Sequence, residues 1–144
     1  MRVLTVRQPW AWAIIHGGKD VENRVRNIAG GYRGPVAIHA GLAPIAWDDV
    51  YAVRDVLGRD AFSFGSEGWR GAHGRIIGVV DLVDVHLTDS AECYSCEPWA
   101  EPFGWHLVLA NPRPLAEPIP FRGALGLRRL DDPTRLLVES ELAP

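Results

Sequence analysis

Val3-Leu4-Thr5-Val6-Arg7-Gln8-Pro9-Trp10-Ala11 runs through an apolar helical stretch into Gly17-Gly18-Lys19-Asp20-Val21-Glu22-Asn23-Arg24, and this part of the chain decides how the rest is read. Val3, Leu4 and Val6 predict a short strand. Pro9 suits the first position of a helix, and the glycine pair stops that helix after about two turns. Trp10, Ala13 and Ile14, with Ala11, make an apolar stripe that seats the helix on a sheet. Arg7 and Gln8 then stand before the helix, and Lys19, Glu22 and Arg24 just after it. Strand, helix and glycine turn together predict a scaffold for a small polar cavity.

Working outward, Gly30 to Pro35 reads as a turn cluster and Val36 to His39 as a strand. Ile45, Trp47, Val50, Val53 and Leu57 are spaced for a packing helix begun at Pro44 and stopped by Gly58. Residues 58–73 show no period, and Phe62, Phe64 and Trp69 make them either a surface loop pinned by rings or a lid. Arg75 to Leu87 is rich in β-branched residues and predicts a long strand bent near Gly78 or Asp81. Trp105 to Leu109 predicts another, Pro112 to Pro120 a proline-rich link, and Gly123 to Leu130 a closing strand. These strands with two helices suffice for a small closed barrel. Residues 131–144 read as a tail or short helix behind one domain of residues 1–130.

Composition sets bounds on function. The 144 residues are 47% hydrophobic and 23% charged, which is ordinary for a globular domain. No run approaches the ~18 apolar residues of a membrane span, and no basic and apolar leader opens the chain, so a cytoplasmic protein without membrane association is expected. The formal net charge of −3 argues against broad binding to duplex DNA, which relies on many phosphate contacts. Nucleic-acid contact must then be local. Arg7, Arg24, Arg26 and Arg33 supply forks suited to phosphate or to base stacking, unless they are simply a solvated face. Lys19 is the one lysine of the chain.

Four segments carry a family resemblance: Leu4-Thr5-Val6-Arg7-Gln8-Pro9-Trp10-Ala11, Gly18-Lys19-Asp20-Val21-Glu22-Asn23-Arg24, Gly34-Pro35-Val36-Ala37-Ile38-His39-Ala40 and Gly123-Ala124-Leu125-Gly126-Leu127. With them the chain resembles the ASCH domains, part of the PUA-like group of RNA-associated folds. The resemblance implies an α+β fold, a PUA-like small β-barrel with flanking helices, and a cleft beside the Lys19-Glu22-Arg24 segment. RNA or a modified nucleoside or nucleotide is the implied ligand. Similar family members remove an acetyl group from N4-acetylcytidine with a Lys-x2-Thr-x-Arg motif. Here that frame reads Lys19, Glu22 and Arg24, with glutamate in the threonine position, and no later position matches the hydrolases' catalytic glutamate.

The expected ligand-binding residues are therefore Arg7, Gln8, Trp10, Lys19, Glu22, Arg24, His39, Trp69 and Trp105. Trp69, Trp99 and Trp105 fall where a ring could face a cleft and stack on a base, while Trp10, Trp12 and Trp47 fit helix packing. If the protein is an enzyme, Lys19 would act as nucleophile or base and Glu22 as proton shuttle. For RNA cleavage the best available pair is His39 with Lys19. A third reading is a scaffold with a vestigial cleft. Cys93 and Cys96 form one Cys-x2-Cys pair, which lacks the second pair of a strong zinc signature. His86 and His106 flank it, but strand histidines are more often simply hydrogen-bonded. Reduced thiols, no metal and no cofactor are thus expected.

Overall fold

Alternation along the first strands places apolar side chains on both sides of one sheet. Leu4 and Val6 join Val36, Ile38, Val80 and Leu107 under the first helix, whereas Val3 joins Ala37, Ile76, Val79 and Leu130 on the opposite face. A strand buried on both sides reads as a near-continuous apolar run rather than a strict alternation, as Ile76 to Leu82 does. The computed structural model describes residues 1–58, 72–89 and 96–142. Its elements are β1 (Arg2–Val6), α1 (Trp10–His16), β2 (Val21–Arg24), β3 (Gly34–Ala40), α2 (Trp47–Leu57), β4 (Arg75–Thr88), β5 (Gly104–Pro120), β6 (Leu127–Arg129) and α3 (Asp132–Leu142).

The fold is α+β, with one six-stranded sheet in the order β2-β5-β4-β3-β1-β6. β1 and β3 are parallel, and the other pairs are antiparallel. β2 and β6 end the sheet on opposite edges, so the closed barrel expected from the sequence is not formed. The expected closing strand is reduced to three residues, and these pair with β1 alone among the described strands. α1 and α2 lie over one face, where Ala13 packs with Val21, Val50 and Val53. Val138 of α3 seals the other face against Leu115 and Leu130. No helix among the described residues is long and apolar enough to cross a membrane.

Three further expectations change. β2 was not anticipated as a strand. α2 begins at Trp47 rather than Pro44, after Ala46 in extended conformation. Pro112 to Pro120 is not a link, because β5 runs unbroken from Gly104 to Pro120. The prolines are tolerated because β2 pairs with β5 only over Trp105 to Val108, leaving the later residues with one laddered edge. Asn111, with φ of 51°, sits where the β4–β5 register shifts, as a bulge residue does.

Candidate functional site

Lys19 is turned inward by the way α1 ends. The N–H groups of Gly17 and Lys19 both donate to the Ala13 carbonyl, at 2.9 and 3.0 Å, and Gly18 takes the left-handed conformation that lets the chain reverse. The next residues enter β2, where Glu22 and Arg24, two positions apart, project from the same face. Glu22 bridges two cations: Lys19 Nζ lies 3.1 Å from its Oε2 and Arg24 Nη2 lies 3.2 Å from its Oε1. Lys19 Nζ also donates to the Val21 carbonyl, and Arg24 Nη2 donates to the Thr5 carbonyl at 3.1 Å.

One carboxylate between two cations leaves a positive excess. The Lys19 and Glu22 side chains are only 3% and 10% exposed, and Arg24, at 28%, is the more solvated cation. The Trp10 ring presents its face to Lys19 Nζ, 5.6 Å from the ring centroid, a geometry attractive to a cation. The buried Nε of Arg24 makes no hydrogen bond among the described residues. This network forms one wall of an open cleft of about 720 Å³. Arg7 lies at the rim, paired with Asp49 of α2 at 3.1 Å.

A second wall comes from residues 98–101, including Trp99, which is mostly buried in a cluster with Ala13, Val21, Val50 and Val53. Asn23 ties it down: its Nδ2 donates to the Trp99 carbonyl at 2.9 Å, and its Oδ1 accepts from the Glu101 N–H at 2.8 Å. Ala52 and Val56 of α2 also line the cleft, so this helix does more than pack.

The structure thus brings together Arg7, Trp10, Lys19, Glu22 and Arg24. Gln8 is fully buried behind them, its Oε1 accepting the Trp12 N–H at 2.9 Å and satisfying a donor in the first turn of α1. His39 is also set back, with Nδ1 3.1 Å from Thr5 Oγ1 and Nε2 2.9 Å from the Phe121 carbonyl. Burial pushes its pKa down, partly countered by its backbone hydrogen bonds. Trp105 is half-buried on β5 and does not line the cleft. Trp69, Phe62, Phe64 and Cys93 lie outside the described residues. Asn23 and Thr5 went unnoticed as site residues. The available signal for Asn23 was its place between Glu22 and Arg24 in a polar strand.

A second cluster lies at the β4–β5 ladder, where His86, Cys96 and His106 each offer a donor atom within 4.8 Å of the other two.

Comparison with known proteins agrees with this architecture. The family model for the ASCH domain matches residues 4–119. Among solved structures, a tyrosine-to-phenylalanine variant of the ASCH protein from Zymomonas mobilis is similar at a TM-score of 0.62 and 16% identity, covering 99% of this chain and 98% of that one. The Zymomonas mobilis ASCH structure without that substitution gives a TM-score of 0.59 at 15% identity, covering 99% and 95%. These identities show a shared fold alone. No curated protein matches the chain. The family match covers most of the sequence and includes the segments that build the cleft, and the chain belongs to the ASCH domain family.

Proposed function

We propose that the cleft binds RNA or a modified nucleoside or nucleotide. The observation that carries this reading is the Lys19-Glu22-Arg24 network beside the Trp10 ring in one open cleft. A nucleotide offers what such walls complement: a π face for a ring, acceptors for the partly exposed Arg24 guanidinium and negative charge for the positive excess. Stacking on one aromatic side chain contributes roughly 1–3 kcal/mol per base. Membership of the ASCH family supports the same ligand class.

A second reading, a small hydrolase of the N4-acetylcytidine or ribonuclease type, is favoured by the 3.1 Å approach of Lys19 Nζ to Glu22 Oε2, a lysine and a proton carrier in contact. His39 is a poorer partner for Lys19, because it lies behind Thr5.

Lys19→Ala and Arg24→Ala, tested with single-stranded RNA oligomers and with N4-acetylcytidine, separate the two. A binder loses affinity in both variants, about tenfold for each 1.4 kcal/mol removed. An enzyme loses product formation in Lys19→Ala with affinity largely kept, because a nucleophile or base acts mainly in the transition state. Binding without deacetylation is expected, since Glu22 occupies the position where the similar hydrolases carry threonine. Lys19-dependent release of acetate by the wild-type protein would reverse the order of the two readings.

A further inference from the structure

We propose that His86, Cys96 and His106 form a zinc site that fastens the Trp99 wall of the cleft. The β4–β5 register sets His86 directly opposite His106, with ring centroids 5.2 Å apart and planes at 75°. Cys96 Sγ lies 3.4 Å from His86 Nε2, and all three donor atoms lie within 4.8 Å of one another. Zinc–nitrogen and zinc–sulfur bonds of about 2.0–2.3 Å place the donors of a tetrahedral site roughly 3.3–3.6 Å apart. The thiol and His86 already meet that spacing.

The far nitrogen of each histidine is held by an acceptor. His86 Nδ1 is 3.1 Å from Asp84 Oδ2, and His106 Nε2 is 2.7 Å from the Glu101 carbonyl. A carboxylate and a carbonyl both require N–H on the nitrogen they meet. The lone pairs are then on His86 Nε2 and His106 Nδ1, the nitrogens left for the cluster. Partners of this kind set the tautomer and the ring orientation of metal-binding histidines.

His106 adds an independent observation. It is 1% exposed, and its Nδ1 makes no hydrogen bond among the described residues. A buried acceptor left in this state is destabilising, and a bound cation removes that cost. Cys96 is likewise 1% exposed. Two imidazoles and one thiolate are a donor set for zinc rather than for magnesium or calcium, which prefer oxygen. On binding, the Cys96 thiol gives its proton to solvent, and both histidines coordinate as neutral imidazoles.

The site has a structural consequence. Cys96 enters the segment that forms the second wall, and the Glu101 carbonyl at its far end is held by His106. One ion thereby fixes both ends of the segment carrying Trp99.

The test is elemental analysis of the full chain, purified without chelators and with any affinity tag removed. The expected result is about one zinc per chain. Protein stripped with a chelator should melt at lower temperature and recover on addition of zinc. Cobalt(II) added to the stripped protein should give a thiolate charge-transfer band that is lost in Cys96→Ser. Because Cys96→Ser alters a buried position, Asp84→Asn serves as a second variant on an exposed side chain; it should fold normally and bind zinc about tenfold more weakly. The proposal is overturned if folded, stripped wild-type protein takes up no stoichiometric zinc, if its cobalt spectrum lacks a thiolate band, or if Cys96→Ser and Asp84→Asn both retain wild-type zinc affinity.

Discussion

Asn23 holds Trp99 by its backbone: the amide nitrogen donates to the Trp99 carbonyl at 2.9 Å while the amide oxygen takes the Glu101 N–H at 2.8 Å. One side chain of β2 thereby joins the two walls of the cleft. A side chain is used for this because the segment from Trp99 to Glu101 is not a strand and has no ladder to join.

Asn23→Ala removes both bonds. The expected loss is about 1–2 kcal/mol of stability, since each net hydrogen bond contributes near 1 kcal/mol. RNA affinity should fall with it, because the second wall loses its attachment to the first. Denaturant unfolding and fluorescence titration with an RNA oligomer check the two parts separately.

Glu22→Ala should cost more stability than Lys19→Ala. Losing the carboxylate leaves the buried Lys19 ammonium with only the Val21 carbonyl and the Trp10 ring among its described contacts, whereas losing the lysine still leaves Glu22 paired with Arg24. Breaking one side of a buried ion pair typically costs about 3–5 kcal/mol, and the remaining contacts put Glu22→Ala at the lower end of that range. Urea midpoints of the two variants decide the order.

Gly78→Ala tests the fit of α1 on the sheet. A Cβ at Gly78 would come within 2.6 Å of Ile15 Cδ1 and 2.8 Å of the Arg113 carbonyl, and the second neighbour is backbone. A loss of about 1–3 kcal/mol is expected, as for overpacking in a filled core. A melting temperature equal to that of the wild type would contradict the packing described.

Stability should rise with pH in the mildly acidic range because of His39. Burial lowers its folded pKa below the ordinary 6.5, so the unfolded chain binds the proton more readily. The contribution is complete above the unfolded value and is lost as pH falls through the folded one. His39→Asn should flatten the slope of melting temperature against pH below about 6.5.

α1 and β4 were legible because their apolar residues follow a period that burial dictates: Ala11, Ile14 and Ile15 on one helix face, and Ile76 to Leu82 inside the sheet. β2 was not, because three of its four residues, Glu22, Asn23 and Arg24, are polar and leave no apolar alternation to read. The chain order of Lys19, Glu22 and Arg24 was enough to gather them, since a turn and a short strand hold them close. His39 and Gln8 were harder to place, because local sequence does not say whether a polar side chain points into a cavity or behind it. Barrel closure depends on which edges meet, and β6 meets only β1 among the described strands. Proline normally argues against a strand, and only the open edge of β5 explains the exception.

That edge bears on how separate molecules behave toward one another. Beyond Val108, the side of β5 away from β4 would offer unpaired amide groups to any extended chain nearby, the usual start of strand-to-strand aggregation. Several of its donors are taken or absent: the Leu109 N–H is bound to the Asp20 carbonyl, the Glu117 N–H to the Glu141 carboxylate of α3, and Pro112, Pro114, Pro118 and Pro120 have none. The prolines that hid this strand in the sequence therefore make it a poor template for a neighbour, and they favour a chain that stays dispersed at high concentration.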